Sequence, residues 1–217
     1  MPPGVNSPPI RLDPRRPLLI VDVDEVLGLF VRGFEDYVAS QGVDLRLDGW
    51  GLFGNLYGRD DGRLLDRADA VSLYNAYFHG PVEDMEPTPH AADRLAQLSG
   101  AASIVILTNA PDHCRAPRAR WLARHGMDYP MLINEGPPGA AVAALAAQVT
   151  APAAFVDVLI GNLDSAAAEA PSVARFQLVA DPRIRAFAPA APDRHRRIDD
   201  WPSLAAEIAA VLTAPPR

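Results

Sequence analysis

The chain has 217 residues, 49% of them apolar and 22% charged, so it can form one α/β domain with an inserted subdomain and is not a disordered chain. Its formal net charge of −7 argues against a nucleic acid as the main partner. All 20 basic residues are arginine, which excludes mechanisms that need a Schiff-base lysine or a lysine phosphate clamp.

The N-terminal segment, residues 1–17, is rich in proline and contains no apolar run. A signal peptide or a membrane span requires such a run, so we predict neither here. We predict instead that residues 1–17 form a flexible lead to the folded part of the chain. A membrane is accordingly not expected as a partner.

Four short apolar runs, each ending in a polar residue, follow along the chain. Continuous apolar runs of this length are typical of buried parallel strands. The runs are residues 18–24, 103–109, 153–157 and 176–181. Helical stretches lie between and after them, at about residues 90–99, 112–125, 140–148, 163–170 and 203–212. This alternation predicts an α/β fold with a Rossmann-like parallel sheet and helices on both faces.

Residues 31–85 break this alternation, because aromatic residues are scattered there among glycines and acidic residues. Apolar positions in this segment recur at helical spacing. We predict that residues 31–85 form a small, mostly helical cap insertion over the sheet edge, and that residues 18–30 and 86–217 form the α/β core. The aromatic residues would build the insertion's own core, and one or two of them, such as Trp50 or Tyr57, would shape a pocket.

Asp22 and Asp24 lie two residues apart at the end of the first apolar run, so both side chains lean to the same side. Two carboxylates held close together repel each other unless a cation lies between them. Mg²⁺ binds one or two carboxylates together with waters and phosphate oxygens. The alternative is a solvated strand end. Glu25 should point to the opposite side and form a local ion pair or helix cap.

Thr108 and Asn109 end the second apolar run, and Asp157 ends the third. The carboxyl ends of parallel strands meet at one edge of the sheet, where ligands bind. The Thr108 hydroxyl and the backbone N–H groups of the following helix would suit an anion. Asp157 could be a further magnesium ligand. For both residues the alternative is an ordinary helix cap.

Taken in chain order, the apolar runs and the polar residues that end them resemble the motifs of the haloacid dehalogenase (HAD) superfamily. The resemblance extends from residue 18 to about residue 181. Residues 19–26, Leu-Ile-Val-Asp-Val-Asp-Glu-Val, are similar to its first motif, an apolar strand followed by Asp-x-Asp-x-Thr/Val. Residues 104–109, Ile-Val-Ile-Leu-Thr-Asn, are similar to the second motif. Residues 155–157 with Gly161-Asn162 are similar to the fourth. The insertion lies where this family has its helical cap.

The resemblance implies a Mg²⁺-dependent phosphohydrolase that cleaves a small phosphorylated metabolite. Asp22 would attack phosphorus to form an aspartyl-phosphate, and Asp24 would act as general acid and then as general base. The metal would be held by Asp22, the backbone carbonyl of Asp24 and Asp157. Thr108 and Asn109 would bind the substrate, Thr108 through a phosphoryl oxygen. An aspartate at position 24 favours phosphate esters over carbon–halogen substrates.

Two positions depart from the family's pattern. The third motif supplies a lysine or arginine, but residues 134–141 contain neither, and Gly139 stands where the lysine is expected. Val158 takes the place of the second carboxylate in the fourth motif. Losing one preorganised charged contact commonly costs ~10²–10³ in rate. The alternative function is therefore a catalytically weak or inactive HAD-fold pseudo-phosphatase that acts as a binding or regulatory protein.

An arginine from elsewhere in the chain could supply the missing positive charge. The candidates follow Thr108 or lie in the insertion: Arg115, Arg118, Arg32, Arg59, Arg63 and Arg67. The alternative for each of them is an exposed helix charge.

Cys114 is the single cysteine, which excludes an intramolecular disulfide and a cysteine-rich zinc site. We interpret it as a buried structural thiol in a reducing, cytoplasmic compartment. A dinucleotide-binding domain is disfavoured because no Gly-x-Gly-x-x-Gly follows the first strand. A response-regulator receiver is disfavoured because the chain lacks the required lysine. The sequence does not indicate an oligomeric state.

Overall fold

The computed structural model describes residues 10–214. The strands of this part of the chain are β1 (Leu18–Val21), β2 (Val43–Leu45), β3 (Leu56–Gly58), β4 (Ser103–Thr108), β5 (Met131–Ile133), β6 (Ala153–Asp157), β7 (Ala174–Gln177) and β8 (Arg196–Arg197). Six of them form one parallel sheet in the order β5-β4-β1-β6-β7-β8, and β2 pairs with β3 in a separate antiparallel sheet. The predicted parallel α/β sheet is thereby confirmed.

Strand β1 lies inside the sheet because all four of its residues are apolar and completely buried. Its register pairs Val21 with Ile106 of β4 on one side and with Val156 of β6 on the other. The chain leaves β1 and returns first on one side and later on the other. The carboxyl end of β1 is therefore the topological switch point, the place where ligands bind in sheets of this kind.

Within residues 10–214, seven α-helices cover the sheet and build the segment predicted as the cap insertion. They are α1 (Phe30–Ser40), α2 (Arg67–Tyr77), α3 (Ala91–Ser99), α4 (Arg115–Arg124), α5 (Gly139–Ala146), α6 (Ile160–Glu169) and α7 (Trp201–Leu212). Helices α5 and α6 pack on the face that contains Leu18 and Ile20. Residues of α1, α3, α4 and α7 pack on the face that contains Leu19 and Val21. Alternate residues of β1 thus pack against the helices on the two opposite faces of the sheet.

The structure differs from the predicted elements mainly at their ends and in their shortest pieces. The first strand ends at Val21 rather than at residue 24, and the last predicted strand is Ala174–Gln177 rather than 176–181. The predicted helix at 112–125 begins as a 3₁₀ turn, Asp112–Cys114, before α4. Strands β2, β3, β5 and β8 were not predicted, because two or three residues are too few to show a periodic pattern.

The cap insertion contains most of α1, the β2–β3 sheet, α2 and a 3₁₀ turn at Pro81–Asp84. Five aromatic side chains of α1, α2 and the residue after α2 pack with neighbouring ring centroids 5.0–6.2 Å apart. They are Phe30, Phe34, Tyr74, Tyr77 and Phe78. Most of this aromatic cluster belongs to the same buried apolar core as β1, so the insertion and the sheet share one core.

The part of the predicted lead that the structure describes, residues 10–17, is in contact with the core. Ile10 and Leu12 pack against the face covered by α5 and α6, and the Thr150 N–H donates to the Pro14 carbonyl at 2.8 Å. Residues 1–9 lie outside the described part of the chain. Among residues 10–214, no helix is both long enough and apolar enough to cross a membrane.

Glu25 ties the start of α1 to the loop that follows β7. One of its carboxylate oxygens accepts from the Val31 N–H at 2.8 Å, and the other accepts from the Asp181 N–H at 3.1 Å. The first of these bonds satisfies a free N–H in the first turn of α1. Burial raises the pKa of Glu25 to about 7, although these two bonds lower it. The predicted capping role of Glu25 is confirmed.

Two ion pairs hold α1 against the loop that follows β7, and a third lies within that loop. Arg183 pairs with Glu35 of α1 at 2.6 Å and with Asp181 at 2.7 Å, and Arg32 of α1 pairs with Asp181 at 3.2 Å. The Asp181 side chain is 0% exposed. Burial alone would raise the pKa of Asp181, but the bonds from Arg183 and Arg32 outweigh it and lower the pKa.

We expect the variant Asp181→Asn to lower the free energy of unfolding by about 2 kcal/mol at neutral pH. A carboxyl group whose pKa is lowered by folding stabilises the protein above its ordinary value of 3.8, and this contribution is lost as the pH falls through the lowered pKa. Urea unfolding at a series of pH values should therefore show the difference from wild type shrinking below pH 3.8. A difference that does not change with pH would contradict this account.

Asp44→Asn is the matched control for this experiment. Asp44 pairs with Arg59 at 2.9 Å, but its side chain is 46% exposed. An exposed pair of this kind contributes about 0–1 kcal/mol, so the control should change the free energy of unfolding little.

Candidate active site

Three carboxyl groups meet at the carboxyl end of β1, where the sequence predicts them. The Asp22 N–H donates to the carbonyl of Val156 at 3.0 Å, so Asp22 and Asp157 end neighbouring strands. Asp24 follows in the loop after β1. Asp22 and Asp157 are buried, and the charges of Asp24 and Asp157 both act on Asp22. The solvated strand end considered for Asp22 is therefore wrong.

These carboxyl groups hinder one another's ionisation. Burial raises the pKa of Asp22 well above its ordinary value, and the charges of Asp157 and Asp24 raise it further. Burial also raises the pKa of Asp157, against hydrogen bonds that lower it. These bonds come from the Leu159 N–H at 2.8 Å and from the Asn162 amide at 3.0 and 3.2 Å. Such a cluster favours a bound cation.

Arg118 of α4 reaches this cluster from the helix that follows Thr108. Its side chain is 1% exposed, and its Nη1 lies 2.9 Å from Oδ1 of Asp24. Its Nη2 donates to Oδ2 of Asp24 at 3.1 Å, so one hydrogen bond and one further close contact join the two groups. Burial raises the pKa of Asp24, and Arg118 lowers it. For Arg118 the alternative of an exposed helix charge is therefore wrong.

None of the six candidate arginines, Arg118 included, lines the cavity beside these carboxylates. Three of them form ion pairs with carboxylates elsewhere: Arg32, Arg59 and Arg115. Arg118 is thus the candidate arginine that contacts the carboxyl cluster. The sequence could have indicated that Arg118 is buried, because it shares one helix face with two apolar residues. Arg118, Trp121 and Leu122 lie at positions i, i+3 and i+4 and are the buried residues of α4.

Thr108 ends β4 and Asn109 follows it directly, as the sequence predicts, but the two side chains differ in what they contact. The Thr108 side chain is buried, and within the described residues its hydroxyl has no hydrogen-bond partner. It does not cap the following helix. The Asn109 amide donates to the Gly136 carbonyl at 2.9 Å and accepts from the Asn134 amide at 2.8 Å. Asn109 thereby holds the loop after β5, while Thr108, at the end of the strand next to β1, has a donor with no partner within the described residues.

The donor set fits magnesium. Among the described residues, no three acidic, histidine or cysteine side chains are arranged as a metal site on their own. Asp22 and Asp157 with the Asp24 carbonyl offer two carboxylates and one further oxygen, and Mg²⁺ characteristically completes such a set with waters and phosphate oxygens. The mutual repulsion of the buried carboxylates supports the same assignment.

The absence of a lysine at position 139 has a packing reason. The Gly139 N–H donates to the Ser165 hydroxyl at 3.0 Å, where α5 and α6 lie in close contact. A Cβ at position 139 would lie 2.3 Å from the Ser165 carbonyl oxygen, which is backbone and cannot turn away. No side chain fits there without a shift of the Ser165 backbone, so the packing of α5 on α6 disfavours a lysine at this position.

We therefore expect Gly139→Lys to destabilise the protein by about 1–3 kcal/mol, as overpacking does elsewhere. It should not increase activity. Gly161→Ala is the control, because Gly161 lies in the adjoining helix α6 with open space around its Cβ position. That change should raise the free energy of unfolding by about 0.5–1 kcal/mol. Thermal unfolding measures both, and a Gly139→Lys variant as stable as wild type would show that the helices can separate.

A cavity of about 260 Å³ opens above Asp22 and Asp24, between the core and the cap insertion. Val158, Leu159 and Ile184 line it on the core side. On the side of the insertion it is lined by Phe30, Val31, Trp50, Leu52 and Tyr74. Trp50 thus lines a pocket, as the sequence predicts. Tyr57 does not line this cavity: it lies in β3, and the guanidinium of Arg46 is 3.8 Å from the centroid of its ring. The sequence pattern gave no reason to single out Phe30 or Tyr74.

Cys114 is completely buried, and its thiol donates to the Phe78 carbonyl at 3.2 Å. Burial raises the pKa of this thiol to about 11. The interpretation of Cys114 as a buried structural thiol is confirmed.

No protein-family model matches the chain, and no curated protein matches its sequence. Solved structures do match. The HAD-hydrolase YfnB from Bacillus subtilis, bound to magnesium, has a TM-score of 0.61 and 15% identity over 92% of this chain and 100% of that one. A haloacid dehalogenase-like family hydrolase from Xanthomonas campestris has a TM-score of 0.59 and 12% identity, over 92% and 97% of the two chains.

A third match is the D,D-heptose 1,7-bisphosphate phosphatase from B. bronchiseptica, complexed with magnesium and phosphate. It has a TM-score of 0.52 and 15% identity, over 89% of this chain and 98% of that one. The chain has the haloacid dehalogenase-like fold. Identities this low establish the HAD-like fold and not the reaction, which has to be argued from the site itself.

Proposed function

We propose that the chain is a Mg²⁺-dependent phosphohydrolase that cleaves a small phosphate ester through an aspartyl-phosphate on Asp22, with Asp24 as general acid and base. The observation that carries this proposal is that the buried Asp22 and Asp157 and the partly exposed Asp24 meet at the end of β1, next to the strand that ends at Thr108, whose buried hydroxyl has no partner within the described residues. The magnesium and the phosphate held by proteins of the same fold support it.

In the first half-reaction, a carboxylate oxygen of Asp22 forms a bond to phosphorus as the bond from phosphorus to the ester oxygen breaks. Asp24 gives its proton to the departing oxygen, so the product leaves as an alcohol. Burial, which raises the pKa of Asp24, favours the protonated form that this step needs. The result is an aspartyl-phosphate on Asp22 and an ionised Asp24.

In the second half-reaction, the oxygen of a water molecule forms a bond to phosphorus, and the bond from phosphorus to the Asp22 oxygen breaks. Asp24 takes the proton of that water. Inorganic phosphate leaves, Asp22 is again a carboxylate, and Asp24 is again protonated. Arg118 faces Asp24 and supports its ionised form between the two half-reactions.

Thr108 and the bound metal would serve the transferring group. The Thr108 hydroxyl, which has no partner within the described residues, would donate to a phosphoryl oxygen. Asp22, the Asp24 carbonyl and Asp157 would hold Mg²⁺, which supplies neutralisation of the negative charge on the phosphoryl oxygens when it is bound. Asn162 keeps Asp157 in place by donating to both of its oxygens.

The second candidate function is a HAD-fold binding protein without useful turnover. The observation that favours it is the Asp24–Arg118 contact, because an aspartate that meets a buried guanidinium at 2.9 and 3.1 Å is also stabilised in the form that cannot donate a proton. The two candidates differ in whether the chain hydrolyses phosphate esters at all.

Hydrolysis of 4-nitrophenyl phosphate and a panel of small phosphate esters, with and without added Mg²⁺, separates the two. For the proposed function, wild-type activity should require Mg²⁺ and be abolished by EDTA. Asp22→Asn should lower kcat at least about 10³-fold, because it removes the nucleophile. Wild-type turnover no higher than that of Asp22→Asn across the panel would reject the phosphohydrolase and favour the binding protein.

A further inference from the structure

We infer that the alcohol portion of the substrate is uncharged and apolar, with about the bulk of one aromatic ring. This inference rests on the proposed function, since it describes what occupies the cavity beside the phosphoryl group. It goes beyond that function because it names the class of phosphate ester that the cavity accepts.

The core side of the cavity is apolar where a carboxylate would be expected. Val158 takes that position, and its side chain lines the cavity. Leu159 follows it and remains 43% exposed, an unusual exposure for a leucine at the end of a buried strand. Ile184 completes this wall. A hydrophobic group bound here would cover apolar surface that is otherwise in contact with water.

The opposite wall belongs to the cap insertion and is preformed. Trp50 and Leu52 lie in the loop between β2 and β3. The Asn55 amide holds this loop by donating to the Gly49 carbonyl at 3.3 Å and to the Gly51 carbonyl at 2.8 Å. A loop fixed in this way presents its apolar side chains at little further cost in conformational entropy when a ligand binds.

The charges in the cavity exclude a second ionic group on the substrate. No arginine or histidine among residues 10–214 lines it, so a carboxylate or a second phosphate would find no cation from this part of the chain and would face Asp22 and Asp24. A cationic group would find no free carboxylate at the alcohol end either. Glu25 accepts from two backbone N–H groups, and Asp24 is paired with Arg118.

A polyol would leave most of its hydroxyl groups unpaired, which costs binding free energy, because the Asn109 and Asn162 amides that also line the cavity already donate to Gly136 and Asp157. The size of the cavity agrees with a group of the bulk proposed. A dry apolar cavity of about 150 Å³ holds one benzene ring, so about 260 Å³ holds a phosphoryl group and one ring.

The test compares esters of primary alcohols, so that the leaving groups have similar reactivity. Benzyl phosphate is expected to have a kcat/KM at least about tenfold higher than glycerol 3-phosphate, phosphoglycolate or phosphocholine. Trp50→Ala and Leu159→Ala should each lower kcat/KM for benzyl phosphate several-fold more than they lower kcat/KM for glycerol 3-phosphate. Leu64→Ala is the matched control, because Leu64 is 52% exposed and does not line the cavity.

Calorimetric binding of phosphonates, which cannot be hydrolysed, separates this inference from the proposed function. Benzylphosphonate should bind at least about tenfold more tightly than 2-hydroxyethylphosphonate in the presence of Mg²⁺. If that preference holds while no ester is hydrolysed, the proposed function fails and the ligand class stands. Equal or reversed preferences, in binding or in kcat/KM, would overturn the inference, and so would the absence of binding by any phosphonate.

Discussion

Replacing Arg118 by methionine is expected to lower the free energy of unfolding by about 3–5 kcal/mol, the largest effect on stability that we predict. The reason is that the Arg118 side chain is 1% exposed and pairs with Asp24, whose side chain is 21% exposed. Removing the guanidinium leaves the Asp24 carboxylate without a partner in surroundings that already raise its pKa. Chemical unfolding monitored by tryptophan fluorescence measures the change.

Arg120→Met, on the same helix, is the control. Arg120 pairs with Glu83 at 2.6 Å, but its side chain is 62% exposed. Exposed ion pairs contribute about 0–1 kcal/mol, so this variant should remain close to wild type. An equal loss of stability in both variants would mean that the burial of Arg118 does not increase the contribution of its ion pair to the free energy of unfolding.

A double variant keeps this prediction testable if Arg118→Met alone does not fold. Asp24→Leu with Arg118→Met removes both charges and leaves none unpaired, so it should recover most of the lost stability. Recovery of this kind measures the coupling between the two residues directly. A double variant as unstable as the sum of the single changes would contradict the pairing.

Thr108→Val should lower kcat for phosphate-ester hydrolysis by about 10²–10³-fold and leave the protein at least as stable as wild type. The two effects go in opposite directions for one reason. The Thr108 hydroxyl is buried and has no hydrogen-bond partner within the described residues, so it adds nothing to the stability of the fold. Its free donor becomes useful only when a phosphoryl oxygen lies next to it.

Thr88→Val is the matched control for this variant. Thr88 is also a buried threonine whose hydroxyl has no partner among the described residues, but it precedes α3, whereas Thr108 ends a strand of the parallel sheet beside β1. Thr88→Val should be at least as stable as wild type in thermal unfolding and should show no loss of kcat. If Thr108→Val retained full activity, the phosphoryl-binding role proposed for Thr108 would be wrong.

Much of the fold and the position of the site could be predicted from sequence, because short-range signals determine them. The apolar run that forms β1 is followed directly by Asp22 and Asp24, and equally clear runs end at Thr108 and Asp157. Parallel strands bring such ends to one edge without any knowledge of tertiary contacts. The sheet, its helices and the meeting point of the carboxylates follow from that rule.

The remaining features depend on contacts between distant parts of the chain. Arg118 and Asp24 are 94 residues apart in sequence, and their pairing follows only from how α4 packs. The requirement for glycine at position 139 comes from Ser165 of another helix. The β2–β3 sheet consists of three-residue strands, which are too short to show an alternating pattern.

The most direct test of the proposed reaction is to trap the aspartyl-phosphate. Wild-type protein is mixed with Mg²⁺ and an ester that it hydrolyses, quenched in acid, reduced with borohydride and digested for mass spectrometry. Borohydride reduces an acyl phosphate to the alcohol, so the reaction that we propose converts Asp22, and not Asp24 or Asp157, to homoserine. Hydrolysis that proceeds with Asp22 unmodified, or with another carboxylate reduced in its place, would contradict the assignment of Asp22 as the nucleophile.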